Sequence, residues 1–368
     1  MAVVAGRGVA SGRGGGDVTS GTSDASISQR EDLANFISMI TRDETPFMSS
    51  IGKTKATAIF HEWQTDMLET PGDSTISEGT DYIIPGRTGA SGTNPERDAL
   101  GNVANNTVGA DFAVVGANRT RLGNYAQING KTIAVSGTRR AVDQAGVADE
   151  YAYQLKKRGT ELRRDIEHNL IHTYQVASGS GNRKFGGYQS WINNTATVEL
   201  NGATAATTVG AGVAAPTLTS NRVALSLSDI DGVMQKIYEE GGKATKIMLS
   251  PKLRRDFSDL MVTDTGVRRN IDMDGKLRQS VDVYMSDFGD LMVVPNYVMG
   301  LTHTVSGQNH ADSIALIYDP MWFSIATLRP LQELDVGQRG DSTVGMMVEE
   351  CTLEVKNPIG CGAIYNLN

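Results

Sequence analysis

The 368-residue chain contains only two cysteines, Cys351 and Cys361. They are too few and too close to one end to staple a fold of this size, so both are expected to be reduced thiols. Ten prolines beside 41 glycines exclude collagen and a proline-rich linker alike. No stretch approaches about 18 consecutive apolar residues, and Met1 to Gly16 lacks the basic start and apolar run of a signal peptide. A soluble chain made in a cytoplasm, without a membrane partner, is therefore expected. Positive charge is also short. With 34 Lys and Arg against 42 Asp and Glu, the net charge of −8 argues against the contiguous basic surface that phosphate-driven nucleic-acid binding requires, though not against packing beside nucleic acid. Aromatic residues make up only 6%.

The 39% hydrophobic content suffices for a sizeable core spread over two or more lobes. Glycine, at 41 of 368 residues against a usual ~7%, is concentrated at the start. Residues 1–27 hold seven glycines, Gly14 and Gly15 among them, and almost no large apolar side chain. Such a segment cannot pack on itself, and a neighbouring subunit is the simplest support for it. Ser28 to Ser38 reads as a short helix, and Thr45-Pro46-Phe47 ends helical structure. Thr57 to Met67 alternates around Phe60 and Trp63 as a half-buried strand does. From Pro71 to Gly130, ten glycines, three prolines and short alternating runs at 81–84 and 111–115 suggest a long, weakly self-packed β-hairpin excursion. Its length exceeds the ~12 to 15 residues usual for an unstructured loop, which points to an intermolecular use; a disordered surface insertion is the plain alternative.

Ala141 to Ala177 carries the strongest helical pattern, with Tyr151, Leu155, Leu162, Ile166 and Leu170 on one stripe. At ~1.5 Å per residue it could run ~50 Å before a glycine stop at 178–181. Asn193 to Pro216 reads as a loop or weak β insertion. Helices at Ser228 to Glu240 and Pro251 to Met261, with strands at Lys246 to Leu249, Val281 to Met285, Leu291 to Val294 and Ile314 to Tyr318, make an α+β lobe. Trp322 to Leu334 and Val344 to Val355 are long strands that need a partner, and the strand near Trp63 could supply one.

Chemistry is hard to find. His168 and His172 lie four apart, but the order Glu167-His168-x-x-x-His172 is not that of a zinc hydrolase and no third ligand is indicated, so they read as surface or interface histidines near a helix C-terminus. Asp272, Asp274 and Gly275 imitate part of a calcium loop, yet Lys276-Leu277-Arg278 follows where the loop's further ligands should come. Gly12-x-Gly14 follows no strand and lacks the P-loop lysine, no Gly-x-Ser-x-Gly elbow occurs, and Cys351 reads as a small core residue. No catalytic residue, metal site or cofactor is expected. Two classes stay open: a structural assembly protein, or an enzyme with a site built from dispersed residues. The mass of the native particle separates them.

The order of parts resembles the Hong Kong 97-type major capsid protein of tailed bacteriophages. More narrowly, Thr45-Pro46-Phe47, Glu62-Trp63-Gln64-Thr65-Asp66, Gln127-Ile128, Val135-Ser136-Gly137-Thr138, Asp149-Glu150-x-Ala152-Tyr153-Gln154 and Glu161-Leu162-x-Arg164-Asp165-x-Glu167 are similar to the SU-ten-type capsid family. That resemblance implies an α+β fold with an N-terminal arm at 1–56, an extended loop at 66–128, a peripheral domain at 57–65, 129–185 and 323–368 built on the spine helix, and an axial domain at 186–322. It further implies pentamers and hexamers tiling an icosahedral shell, non-specific contact with packaged double-stranded DNA, a portal, and scaffold or decoration proteins. Assembly in a bacterial host cytoplasm and residence in the virion capsid belong to the same expectation, and a non-viral shell-forming compartment protein of the same fold is the alternative. Met1 and the lack of a long charged helical prefix suggest that no fused scaffold segment precedes the chain. Expected inter-subunit contacts are Arg87, Arg97, Arg119, Arg121, Phe47, Gly14 and Gly15. Some shells of this fold are locked by an isopeptide bond from a lysine in the extended loop, but no lysine lies between Lys55 and Lys131. The loop arginines stay charged and are poor nucleophiles, so a noncovalent shell is expected.

Overall fold

The computed structural model describes residues 41–66, 120–142, 146–177, 182–193, 196–206, 212–264, 282–301, 304–305 and 308–368. The expected helix at 28–38, the runs at 81–84 and 111–115, the 272–275 turn, and Gly14, Gly15, Arg87, Arg97 and Arg119 lie outside these residues.

In chain order the main elements are α1 (Pro46–Ser50), β1 (Gly52–Lys55), β2 (Phe60–Thr65), β3 (Thr120–Tyr125), β4 (Gln127–Ser136), α2 (Gly137–Ala141), α3 (Glu150–His172), α4 (Tyr188–Trp191) and β5 (Val198–Glu199). There follow α5 (Leu227–Glu239), β6 (Lys246–Leu249), α6 (Pro251–Asp264), β7 (Val283–Ser286), β8 (Gly289–Pro295), β9 (Thr304–Val305), β10 (Gln308–Asn309), β11 (Ala315–Tyr318), β12 (Phe323–Arg339), β13 (Ser342–Val355) and β14 (Gly362–Ile364).

The long helix α3 is shorter than its apolar pattern suggested. Gly146 adopts φ +83°, a left-handed backbone that a continuous helix cannot contain, and the Asp149 side chain then accepts the Tyr151 N–H to begin the helix afresh. At the other end Thr173 is already extended, so α3 stops well before the glycines at 178–181. Its 23 residues span about 34 Å. Leu162, Ile166 and Leu170 are buried as the stripe implies, while Tyr151 and Leu155 are only partly covered.

α3 lies on β4 and β13 of a four-stranded sheet ordered β1-β12-β13-β4. The strand near Trp63 is not the partner of the terminal strands. β1 pairs in parallel with β12, β4 pairs antiparallel with β13, and β2 pairs with β3 in a separate ribbon. β4 escaped the sequence reading because its alternation, Ile133 and Val135 inward between exposed Thr132, Ala134 and Ser136, is broken by Asn129 and Gly130. β12 and β13 form a hairpin from Phe323↔Val355 to Arg339↔Ser342. Gly340, at φ +63°, supplies the positive φ that a two-residue turn needs.

A second sheet, ordered β5-β14-β11-β6-β8-β7, divides the interior in two. Ile247, Leu249, Leu291, Val293, Ala315 and Ile317 point to a core beneath α5 and α6, whereas Met248, Leu316 and Tyr318 point to the core shared with α3. β11 is buried at every position, as a strand covered on both faces must be. Residues 362–364, expected with the long terminal strands, instead enter this second sheet between β5 and β11. α5 is closed by a reciprocal capping box between Ser226 and Asp229, and α6 opens on Pro251 with the Ser250 hydroxyl accepting the Leu253 N–H.

Candidate assembly surfaces

The described residues hold no group of three or more His, Cys, Asp or Glu side chains placed to share a metal ion, and no helix among them is long and apolar enough to cross a membrane. His172 is buried rather than on the surface, with its Nδ1 2.7 Å from Gln189 Nε2; burial also pushes the His168 imidazole below its ordinary pKa. Cys351 and Cys361 are both buried, and burial pushes each thiol up to about 12, which makes them inert.

Phe47, expected at a subunit contact, is fully enclosed by its own chain. Its ring meets Tyr188, Tyr318 and Phe323 at centroid distances of 6.0, 5.3 and 5.7 Å, geometry that aromatic quadrupoles favour. The proline at the first turn of α1 lets the chain enter the core with one N–H fewer to satisfy. Thr45 provides no side-chain cap. Instead Glu167, from the last third of α3, accepts the Phe47 N–H through Oε1 at 2.8 Å and the Met48 N–H through Oε2 at 2.7 Å. The Thr45-Pro46-Phe47 and Glu161–Glu167 stretches, 120 residues apart, are thus two halves of one contact. Burial raises the Glu167 carboxyl above its ordinary 4.5, and the hydrogen bonds from Met48, Phe47 and Asn296 oppose that rise.

The β2–β3 ribbon is the stem from which residues 66–119 depart. Two contacts seat it. Trp63 Nε1 donates to the Val355 carbonyl at 2.8 Å, and the buried Asn124 side chain donates to the carbonyls of Gly186 and Leu353 while accepting the Gly186 N–H. Arg121, also expected at a subunit contact, is exposed and pairs with Glu62 across the ribbon of its own chain. Beside it lies an open cleft of about 470 Å³ lined by Phe60, His61, Trp63 and Arg121 among others.

The distal half of the β12–β13 hairpin is exposed along the outer edge of β12. β1 covers the outer edge of β12 only as far as Thr327, and beyond it Leu331, Leu334 and Val336 are exposed. Bulges near Arg329 and Asp335 twist this edge, and Pro330 occupies the irregular stretch where no ladder N–H is needed. Glu350 anchors the bend from below, accepting from Arg183 Nη2 at 2.8 Å and Arg329 Nε at 2.7 Å. Further out, the Tyr151 hydroxyl donates to Glu333 at 2.7 Å, and that bond to a carboxylate helps push its pKa up to about 12. At the free edge of the second sheet, Val283, Met285 and Met292 form an exposed apolar group.

Sequence reasoning missed Glu167, Asn124, Asn296 and Glu350. A buried polar residue leaves no periodic mark, whether in a helix, in a strand or, like Asn296, at a helix cap, because its partners are set by tertiary contact.

The sequence matches the SU10 major capsid protein family over residues 17–368. It is similar to the major capsid protein of Escherichia phage Phieco32, with 24% identity over 270 residues, covering 65% of this chain and 68% of that protein. Among solved structures it is similar to the capsid of cyanophage A-1(L), with a TM-score of 0.61, 11% identity and coverage of 95% and 99% of the two chains. It is likewise similar to a solved structure from Gordonia phage Cozz, with a TM-score of 0.54, 12% identity and 96% of each chain covered. Those structural likenesses speak for the fold alone, which is the Hong Kong 97 type.

Proposed function

Because the chain belongs to the SU10 major capsid protein family and is a structural subunit of a phage shell, we propose that it tiles that shell as pentamers and hexamers around packaged double-stranded DNA. The carrying observation is the family match across residues 17–368. The residues before Thr45 act as an arm laid on a neighbouring subunit, whereas 46–56, expected with that arm, pack into the chain's own core and pair with β12; 66–128 act as a loop reaching over another subunit, with 57–65, 129–185 and 323–361 as the peripheral part and 186–322, joined by β14 at 362–364, as the axial part. The seated stem at β2–β3 supports the second assignment, since a hairpin that projects needs a fixed base. A net charge of −8 suits an inner face that touches DNA without sequence preference and without holding it strongly. A portal and scaffold or decoration proteins complete the particle, which assembles in the cytoplasm of a bacterial host.

The shell is noncovalent. Arg87, Arg97 and Arg119 offer bidentate pairing to neighbouring carboxylates, whereas Arg121, expected with them, already pairs with Glu62 of its own chain, and strand edges offer main-chain hydrogen bonds. Exposed pairs contribute only about 0–1 kcal/mol each, so cohesion comes from repetition. Electron microscopy of the purified particle should show closed icosahedral shells. Boiling it in detergent with reductant should release one band at the monomer mass; a protein that stays monomeric under all assembly conditions contradicts the shell reading, and a ladder of multimers contradicts the noncovalent one.

A further inference from the structure

Three segments distant in sequence meet at one carboxylate. Besides the Phe47 and Met48 amides, Glu167 Oε1 accepts Asn296 Nδ2 at 2.8 Å. Asn296 itself sits just before the turn of 3₁₀ helix at Tyr297–Gly300, where its Oδ1 accepts the Val298 N–H at 2.8 Å. That bond fixes which way its amide points and leaves Nδ2 to face Glu167. The three groups that hydrogen-bond to the carboxylate are therefore all donors. A carboxylate satisfies them together, whereas a carboxamide of the same shape turns one N–H toward another, and aspartate falls one methylene short.

Burying a charge is a poor way to gain stability, because well-packed apolar replacements often do as well. What the arrangement supplies is direction. α1 has five residues, no side-chain cap of its own, and first-turn amides that must be satisfied from outside. Burial of Phe47 and the pairing of β1 with β12 hold the C-terminal side of α1; two amides on two oxygens of one rigid helix orient its N-terminal side.

We propose that Glu167 is the positioning residue for the N-terminal arm: it fixes the direction in which the chain before Thr45 leaves the body and, through Asn296, ties that direction to the seating of the second sheet. This rests on reading the residues before Thr45 as an arm that lies on a neighbour. An arm that leaves at the wrong angle cannot reach its site, so a subunit lacking the anchor folds but closes shells poorly.

The test compares full-length wild type, Glu167→Gln, Glu167→Asp and, as a control, Glu161→Gln, a carboxylate on the same helix that pairs with Arg158 in its own turn. Amide hydrogen exchange on the unassembled subunit reads the anchor, and negative-stain counting of closed shells reads assembly. In Glu167→Gln, exchange at Phe47 and Met48 should quicken at least about tenfold while Leu162 and Ile166 keep the wild-type rate. Closed shells should fall at least about tenfold, Glu167→Asp should recover part of both, and Glu161→Gln should match wild type. Unchanged exchange at Phe47 and Met48, or fast exchange with a wild-type shell count, would overturn the proposal. If Glu167→Gln loosens the whole subunit, Glu167→Asp is read in its place against the same two outcomes. Wild-type protein that forms no shells would instead refute the capsid reading, and the exchange data would stand apart from it.

Discussion

Leu162→Ala tests the seat of α3 on the four-stranded sheet. Leu162 is 2% exposed and sits in one cluster with Ile133, Ile166, Leu170 and Met347. The substitution removes three carbons, worth about 2.4 kcal/mol at ~0.8 kcal/mol per buried methylene. A cavity term adds to this unless the helix settles inward. One turn earlier, a Cβ on Gly159 would lie 3.2 Å from Met347 Cε, so α3 already touches a side chain of β13 and settles inward only by displacing it. The cost should therefore be about 3–4 kcal/mol, within the usual 2–5 for such changes and a large share of a typical 5–15 kcal/mol total. Leu162→Asp, which buries an unpaired carboxylate, should fail to fold. Lys157→Ala, on the exposed face of the same helix, should stay within about 0.5 kcal/mol. Denaturant unfolding of the unassembled subunit measures all three. A Leu162→Ala loss below about 1 kcal/mol, or an equal loss in Lys157→Ala, would refute the packing argument.

Two glycines should behave oppositely. Gly187→Ala should destabilise by at least about 1–3 kcal/mol in the same assay, because a Cβ there would lie 2.6 to 3.0 Å from the carbonyls of Asn169, Leu170 and Thr173, all backbone atoms at the end of α3. Gly159→Ala should fall within about 1 kcal/mol of wild type or better, since up to about 1 kcal/mol of helix propensity offsets the displacement of a flexible Met347 methyl. The Glu349 carboxyl is raised above 4.5 by burial, against the pull of Arg163 and Lys53. The folded state thus holds its proton to higher pH than the unfolded one. Its contribution to stability is full in acid below 4.5 and is lost as pH rises through the raised value. Melting temperature followed against pH should show a shallower fall over that window in Glu349→Gln, and identical slopes would contradict the assignment.

The local chemistry of the chain was enough to place α3 and α5, strand β6 and the long strands β12 and β13. Their apolar spacing, caps and β-branched runs act over a few residues, and packing did not overrule them. The family resemblance was legible for the same reason, since its motifs are contiguous stretches between residues 45 and 167. Tertiary structure alone decided the rest. Which strand covers β12 and β13 depends on chain reversals that no local pattern encodes, and β4 and β1 took the places that the Trp63 strand was expected to fill. Phe47 reads equally well as a surface anchor or a core residue until the rings of Tyr188, Tyr318 and Phe323 are seen around it. Glu167 looks like one more charge on a charged helix. Only the fold brings two amides and Asn296 to it, because a buried carboxylate is tolerated where donors converge and those donors come from segments more than a hundred residues away.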